Sequence, residues 1–202
     1  MKTIITVQHT QSIHHTNGMD GSWTDWELTD LGRQQAQNIG INLEAELAGK
    51  RICLYSSDLL RARQTAEIIA GYLGVVPVFR TELREQYLGI CCGKSIQWLR
   101  ENKECEEKSI DDRIFSDAES RRDEWNRLKP FFDSIMSDDS ENIIIISHGD
   151  LLSVFSAMFS GLSVESLNSL EISGAPGGVS LMYADETGKR FIKRISDMSY
   201  LR

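Results

Sequence analysis

A chain of 202 residues can bury one well-packed α/β domain and is short for two. Its composition, 41% hydrophobic and 26% charged with 3 prolines, is that of a folded globular chain and excludes a disordered or low-complexity one. A formal net charge of -8 argues against a nucleic-acid binder, which needs a basic face, but a local cationic pocket for an anionic substrate fits within an acidic protein.

The apolar run near Met1 is too short for a secretory segment, and nothing later approaches the ~18 apolar residues of a membrane span. A cytoplasmic protein with no membrane partner is expected. Residues 3–8 are a β-rich run that stops at His9. Ala36, Ile39, Leu43 and Leu47 recur at the spacing of one helical face within residues 31–47. Residues 51–55 read as a second strand, with Ser57 as N-cap of a helix that buries Ala62, Ala66, Ile69 and Leu73 and stops at Gly74. Residues 75–79 read as a third strand.

Between about residues 97 and 123 charges crowd together with few large apolar residues, which predicts a lid-like surface insertion in an otherwise single domain. A helix over residues 125–136 follows. Four consecutive isoleucines in residues 142–147 predict a central strand buried on both faces, and residues 151–159 a buried helix. Two last strands, 178–184 and 190–195, are joined by a turn at Thr187-Gly188. Strands alternating with helices imply a mainly parallel sheet covered on both faces. Cys53, Cys91, Cys92 and Cys105 lack a C-x-x-C spacing and read as reduced packing residues.

In such a sheet ligands bind beyond the carboxyl ends of the strands. His9 follows the first strand, His148 follows the isoleucine strand, and Arg61 lies in the first turns of the helix after the second strand. His14 and His15 occupy the loop beyond His9. Imidazole is a competent nucleophile, a guanidinium grips phosphate through forked hydrogen bonds, and the amides of Gly149 and Asp150 open a helix where an anion is favoured. The alternative, a metal held by His9, His14 or His15, and His148, lacks a helical H-x-x-x-H spacing, and no metal is expected.

Five blocks in order resemble the histidine phosphatase (phosphoglycerate mutase-like) superfamily. Gln8-His9-Thr10-Gln11-Ser12, with His15 three residues on, stands where the family has Arg-His-Gly-Glu-Ser or Thr and then Asn. The block from Ser22-Trp23-Thr24-Asp25 to Gln35-Ala36 follows, then Ser57-Asp58-Leu59-Leu60-Arg61-Ala62-Arg63, Leu83-Arg84-Glu85-Gln86-Tyr87-Leu88-Gly89, and Ile145-Ile146-Ser147-His148-Gly149-Asp150. Residues 173–178 resemble the late loop that borders the family's site.

The resemblance implies a three-layer α/β/α sandwich and cofactor-free phosphoryl transfer on a small phosphate ester. His9 would become a phosphohistidine and Glu85 would be the proton donor. Arg61 and His148 would hold the phosphoryl oxygens, with Gln8, Ser12, His15 and Gly149 around them. Gln8 departs from the family's arginine, and losing such a donor typically costs ~10²–10³ in rate. His15 or His14 is expected to restore part of the charge, so that activity rises toward mildly acidic pH. Thr10 stands for a glycine, and Cys91-Cys92-Gly93 for Trp-Glu-Gly.

Mutases of the family bind a substrate carboxylate with a lysine and an arginine pair. Here Lys94 and Arg121-Arg122 lack that context, and the pair reads as the exposed basic face of a helix. A phosphatase is therefore expected, with mutase-type phosphotransfer or a weakly active phospho-ligand-binding pseudoenzyme as alternatives. A charged insertion over the site would disfavour highly charged substrates.

Overall fold

The isoleucine run becomes β4 (Asn142–Ser147), and every one of its residues is buried. The computed structural model describes residues 1–202. It places β4 between β2 (Cys53–Ser57) and β1 (Lys2–Gln8) in a six-stranded sheet. β3 (Val78–Arg80), β5 (Val179–Ala184) and β6 (Arg190–Asp197) complete the order β3-β2-β4-β1-β5-β6. The first four strands in this order run parallel, and β5 alone runs the other way, antiparallel to both of its neighbours, β1 and β6.

Because side chains alternate along a strand, Ile4, Ile143 and Ile145 fall on one face and Ile5, Val7, Ile144 and Ile146 on the other. The first set packs against α5 (Arg121–Ser137) and α6 (Gly149–Phe159) through Leu128, Phe131, Phe132, Phe155 and Phe159. The second packs against α2 (Asp30–Glu46) and α3 (Leu60–Leu73) through Ile39, Leu43, Ala62, Ala66 and Ile69. This is the three-layer α/β/α sandwich. No helix is long and apolar enough to cross a membrane.

Local chemistry sets the element ends. Thr29 caps α2 by accepting from the Gly32 amide at 3.0 Å, and Ser120 with Asp123 forms a capping box at α5. Gly74 closes α3 at φ 65°, a conformation favouring glycine. Ser57 does not cap α3. It ends β2, α3 begins at Leu60, and the Ser57 hydroxyl is engaged by His148. β3 starts three residues later than expected and has three residues, since Pro77 has no N–H for a ladder.

The insertion is more than a charged surface. α1 (His14–Asn17) lies far from it in sequence, but α4 (Ile96–Asn102) opens it. Cys91, Ile114, Phe115 and Ala118 form a small separate core under Trp98 and Leu99. The exposed charges of residues 101–108 are its solvated rim. All four cysteines are free, and buried Cys91 is a packing residue.

Candidate active site

β1 and β4 are adjacent and in parallel register, with Gln8 opposite Ser147. The next residue of each strand is a histidine, so His9 and His148 emerge side by side, ring centroids 5.1 Å apart and edge to face. Both are buried. His9 Nδ1 lies 2.9 Å from the Thr10 carbonyl, and Arg61 Nε–H donates to His9 Nε2 at 3.1 Å. A carbonyl only accepts and a guanidinium only donates, so the proton sits on Nδ1 and the lone pair on Nε2. Burial first, then Arg61, holds the His9 pKa well below the ordinary value of 6.5, which leaves a neutral imidazole at pH 7.

Arg61 is 1% exposed, and its other donors bind the carbonyls of Thr24 at 2.9 Å and Ser22 at 3.1 Å. Burial lowers its pKa to about 10, so it stays charged. His148 Nε2 lies 2.8 Å from Ser57 Oγ, while its buried Nδ1 has no protein partner. His148 is fully buried beside His9 and does not itself line the cavity.

His15 stacks on His9 at 5.4 Å and 13°, and His14 lies 3.9 Å from His15. The Ser12 amide donates to His15 Nδ1 at 3.1 Å, and the Ser12 hydroxyl bonds His14 Nδ1. Ser12 is therefore buried support for the two histidines, and it does not line the cavity. Burial, then neighbouring charge, lowers His14 to about 3 and His15 to about 4. Without a ligand neither is charged in the mildly acidic range, contrary to the expected restored cation.

Gln8 lines the cavity in a slot between two glycines. A Cβ on Gly149 would lie 3.2 Å from Gln8 Nε2, and one on Gly174 would lie 3.0 Å from its Oε1. The start of α6 does receive an anion, but that anion is Glu85. Its Oε1 accepts from Leu151 at 3.1 Å and its Oε2 from Asp150 at 3.5 Å. Burial and then Asp150 raise the Glu85 pKa to about 7, against the pull of Arg61 and these amides. That value suits a group that must give and retake a proton near neutrality.

The segment carrying Glu85 has no long regular element, so other residues place it. Arg127 donates to the carbonyls of Glu82 at 2.8 Å, Arg84 at 3.0 Å and Glu85 at 3.1 Å, while Trp23 Nε1 donates to the Glu85 carbonyl at 2.6 Å. The basic-face reading of Arg121-Arg122 fails. Arg121 binds Asp150 at 2.9 Å and the fully buried Glu124 at 3.1 Å, and Arg122 binds Asp111 and Glu165. Glu124 Oε1 has no partner, and burial raises that carboxyl to about 8.

These groups surround a cavity of about 320 Å³ lined by Gln8, His9, His14, His15, Arg61, Glu85 and Gly149, together with Asp20, Ser22, Asp150 and Glu171. Asp20 and Glu171, which sequence reasoning missed, enter from loops without periodicity. Nitrogens of His9, His14 and His15 lie within 4.8 Å of one another, close enough to hold a metal ion. That trio excludes His148, and Arg61 beside His9 Nε2 opposes a cation there.

The chain is 28% identical over 180 residues to a putative phosphoserine phosphatase 2 of Hydrogenobacter thermophilus, covering 87% of each. It is 29% identical over 192 residues to a 2,3-bisphosphoglycerate-dependent phosphoglycerate mutase of Beijerinckia indica, covering 90% of this chain and 91% of the relative. Its fold matches mycobacterial glucosyl-3-phosphoglycerate phosphatase in complex with inorganic phosphate, with TM-score 0.82, 21% identity and 100% of both chains covered. The model of the histidine phosphatase superfamily (branch 1) matches residues 4–197, and the chain belongs to that family.

Proposed function

We propose that the protein hydrolyses small phosphate monoesters through a phosphohistidine on His9. The observation that carries this reading is the pinned His9 tautomer, with the Nε2 lone pair held next to Arg61 and Glu85 lining the same cavity. Nε2 attacks phosphorus as the P–O ester bond breaks, and Glu85 gives its proton to the departing alkoxide. Water then attacks phosphorus, its proton passes to Glu85, the P–N bond breaks and inorganic phosphate leaves. Arg61, the open Nδ1 of His148 and the Gln8 amide meet the phosphoryl oxygens, whose charge is the main burden of the transition state.

The cavity lining supports a phosphatase over a mutase. Lys94, Arg121 and Arg122 do not line it, so a substrate carboxylate finds none of the cations a sugar-acid mutase uses. Gln8 supports a second reading, a phospho-ligand-binding protein with slow turnover. The test is turnover of p-nitrophenyl phosphate by wild type and His9→Ala, with trapping of an acid-labile phosphoenzyme. His9-dependent turnover is expected. Equal turnover by His9→Ala would overturn the mechanism, and phosphate binding without turnover would decide for the second reading.

A further inference from the structure

We propose that the cavity selects monophosphate esters whose alcohol part carries an ammonium group, a substrate class that rests on the phosphatase reading above. Arg61 is the one lysine or arginine lining the cavity, and its Nε, Nη1 and Nη2 are each already donating to His9, Thr24 and Ser22. Against it stand four carboxyl groups, Asp20, Asp150, Glu171 and Glu85, the last holding the proton it donates to the ester oxygen. One lining residue, Leu88, is hydrophobic.

The phosphoryl end has its own anchor, independent of those acids: His9 and Arg61, which line the cavity, with the His148 ring 5.1 Å from His9 though outside the lining. Glu85 must reach the ester oxygen to protonate it, so the alcohol part lies on the Glu85 side of the phosphorus. The Asp150 amide donates to Glu85, which puts Asp150 at the same place, and Glu171 is an exposed wall of the same cavity. Arg121, outside the lining, pairs with Asp150 at 2.9 Å and offsets part of its charge, so Glu171, which has no ion-pair partner, is the stronger attraction on this wall.

An alcohol part with a carboxylate or second phosphate therefore meets acids and no cation besides the Arg61 that faces the phosphoryl group. A hydroxyl meets only hydrogen-bond partners. An ammonium a short chain from the ester oxygen gains attraction from Asp150 and Glu171 in a polar, partly enclosed site.

Three esters of similar length separate the cases: 2-aminoethyl phosphate, 2-hydroxyethyl phosphate and carboxymethyl phosphate, each compared by kcat/KM near neutral pH. The expected order is amine, hydroxyl, carboxylate, with about tenfold between amine and hydroxyl. That preference shrinks as salt rises. Asp150→Asn and Glu171→Gln each lower the amine-to-hydroxyl ratio about two- to fivefold. The ratio is taken within one preparation, so a partly inactive variant does not distort it. Carboxylate turnover equal to or above amine turnover, with p-nitrophenyl phosphate turnover still dependent on His9, would overturn the proposal and leave the phosphatase reading standing. Failure of all four esters would bring down that reading and this one with it.

Discussion

Replacing Gln8 by arginine should speed turnover. A charge-assisted hydrogen bond contributes about 1.5–3 kcal/mol where a neutral one contributes about 0.5–1.5, a gain of about 1–1.5 kcal/mol. In transition-state terms that is about tenfold. The ceiling is the ~10²–10³ that a preorganised donor typically supplies. Gln8 already runs between Gly149 and Gly174, whose missing side chains leave its amide room, and it lines the cavity the arginine would enter. The added charge also has acidic company, with Asp20, Asp150, Glu171 and the proton-sharing Glu85 lining the cavity against one guanidinium. The assay is kcat and kcat/KM on p-nitrophenyl phosphate for wild type, Gln8→Arg and Gln8→Leu. Gln8→Arg should raise both constants about tenfold, and Gln8→Leu should lower them by the worth of one neutral bond, about twofold to tenfold. If Gln8→Arg melts at the wild-type temperature, binds phosphate at least as tightly and still turns over no faster, the missing charge at position 8 does not limit turnover.

Glu124 should make stability depend on pH. Its folded-state pKa of about 8 lies above the ordinary 4.5, so the native protein keeps a proton that the unfolded chain releases, and stability falls as pH rises between those values. Urea midpoints of Glu124→Gln should therefore gain on wild type with rising pH, by up to about 1.4 kcal/mol per unit, and parallel curves would refute the assignment. Asp150→Asn removes the second-largest influence raising Glu85, after burial. The alkaline limb of its kcat profile should move about half a unit to one unit lower. Gly32→Ala puts a Cβ 1.9 Å from the Gln11 carbonyl oxygen, and the thermal midpoint should fall by the equivalent of about 2 kcal/mol or more.

The layers are legible because period and length agree in each element. Ile143 to Ile146 can only be a strand covered on both faces, and the 36, 39, 43 spacing can only be one helical face. The pairing of His9 with His148 is legible for the same reason, since each ends a strand and the two strands are neighbours. Glu85 enters through family resemblance alone, because its position depends on Arg127 and Trp23, far away in sequence. The amides of α6 mark an anion site correctly but say nothing of which anion fills it. Arg121 misleads because a helix start rich in charge looks the same whether its arginine meets water or a buried carboxyl such as Glu124.

Two of the departures from the family pattern, Gln8 and His15, share one electrostatic logic. Arg61 lowers the pKa of His9, His14, His15 and His148 alike, so each further fixed cation in this cavity makes a charged imidazole harder to form. An arginine at position 8 would add to that burden, and glutamine does not. When a phosphoryl dianion arrives, the fixed charge facing it is Arg61, and further positive charge can come from protons taken up by histidines. The unliganded values of about 3 for His14 and about 4 for His15 place this uptake in the complex and not in the free protein. Phosphate binding should then consume protons, and calorimetry in buffers of different ionisation enthalpy near pH 6 reads that uptake directly. His14→Asn and His15→Asn should abolish part of it, and Gln8→Arg should suppress it by supplying the charge permanently. Uptake that is absent in wild type would mean that Arg61 alone carries the anion.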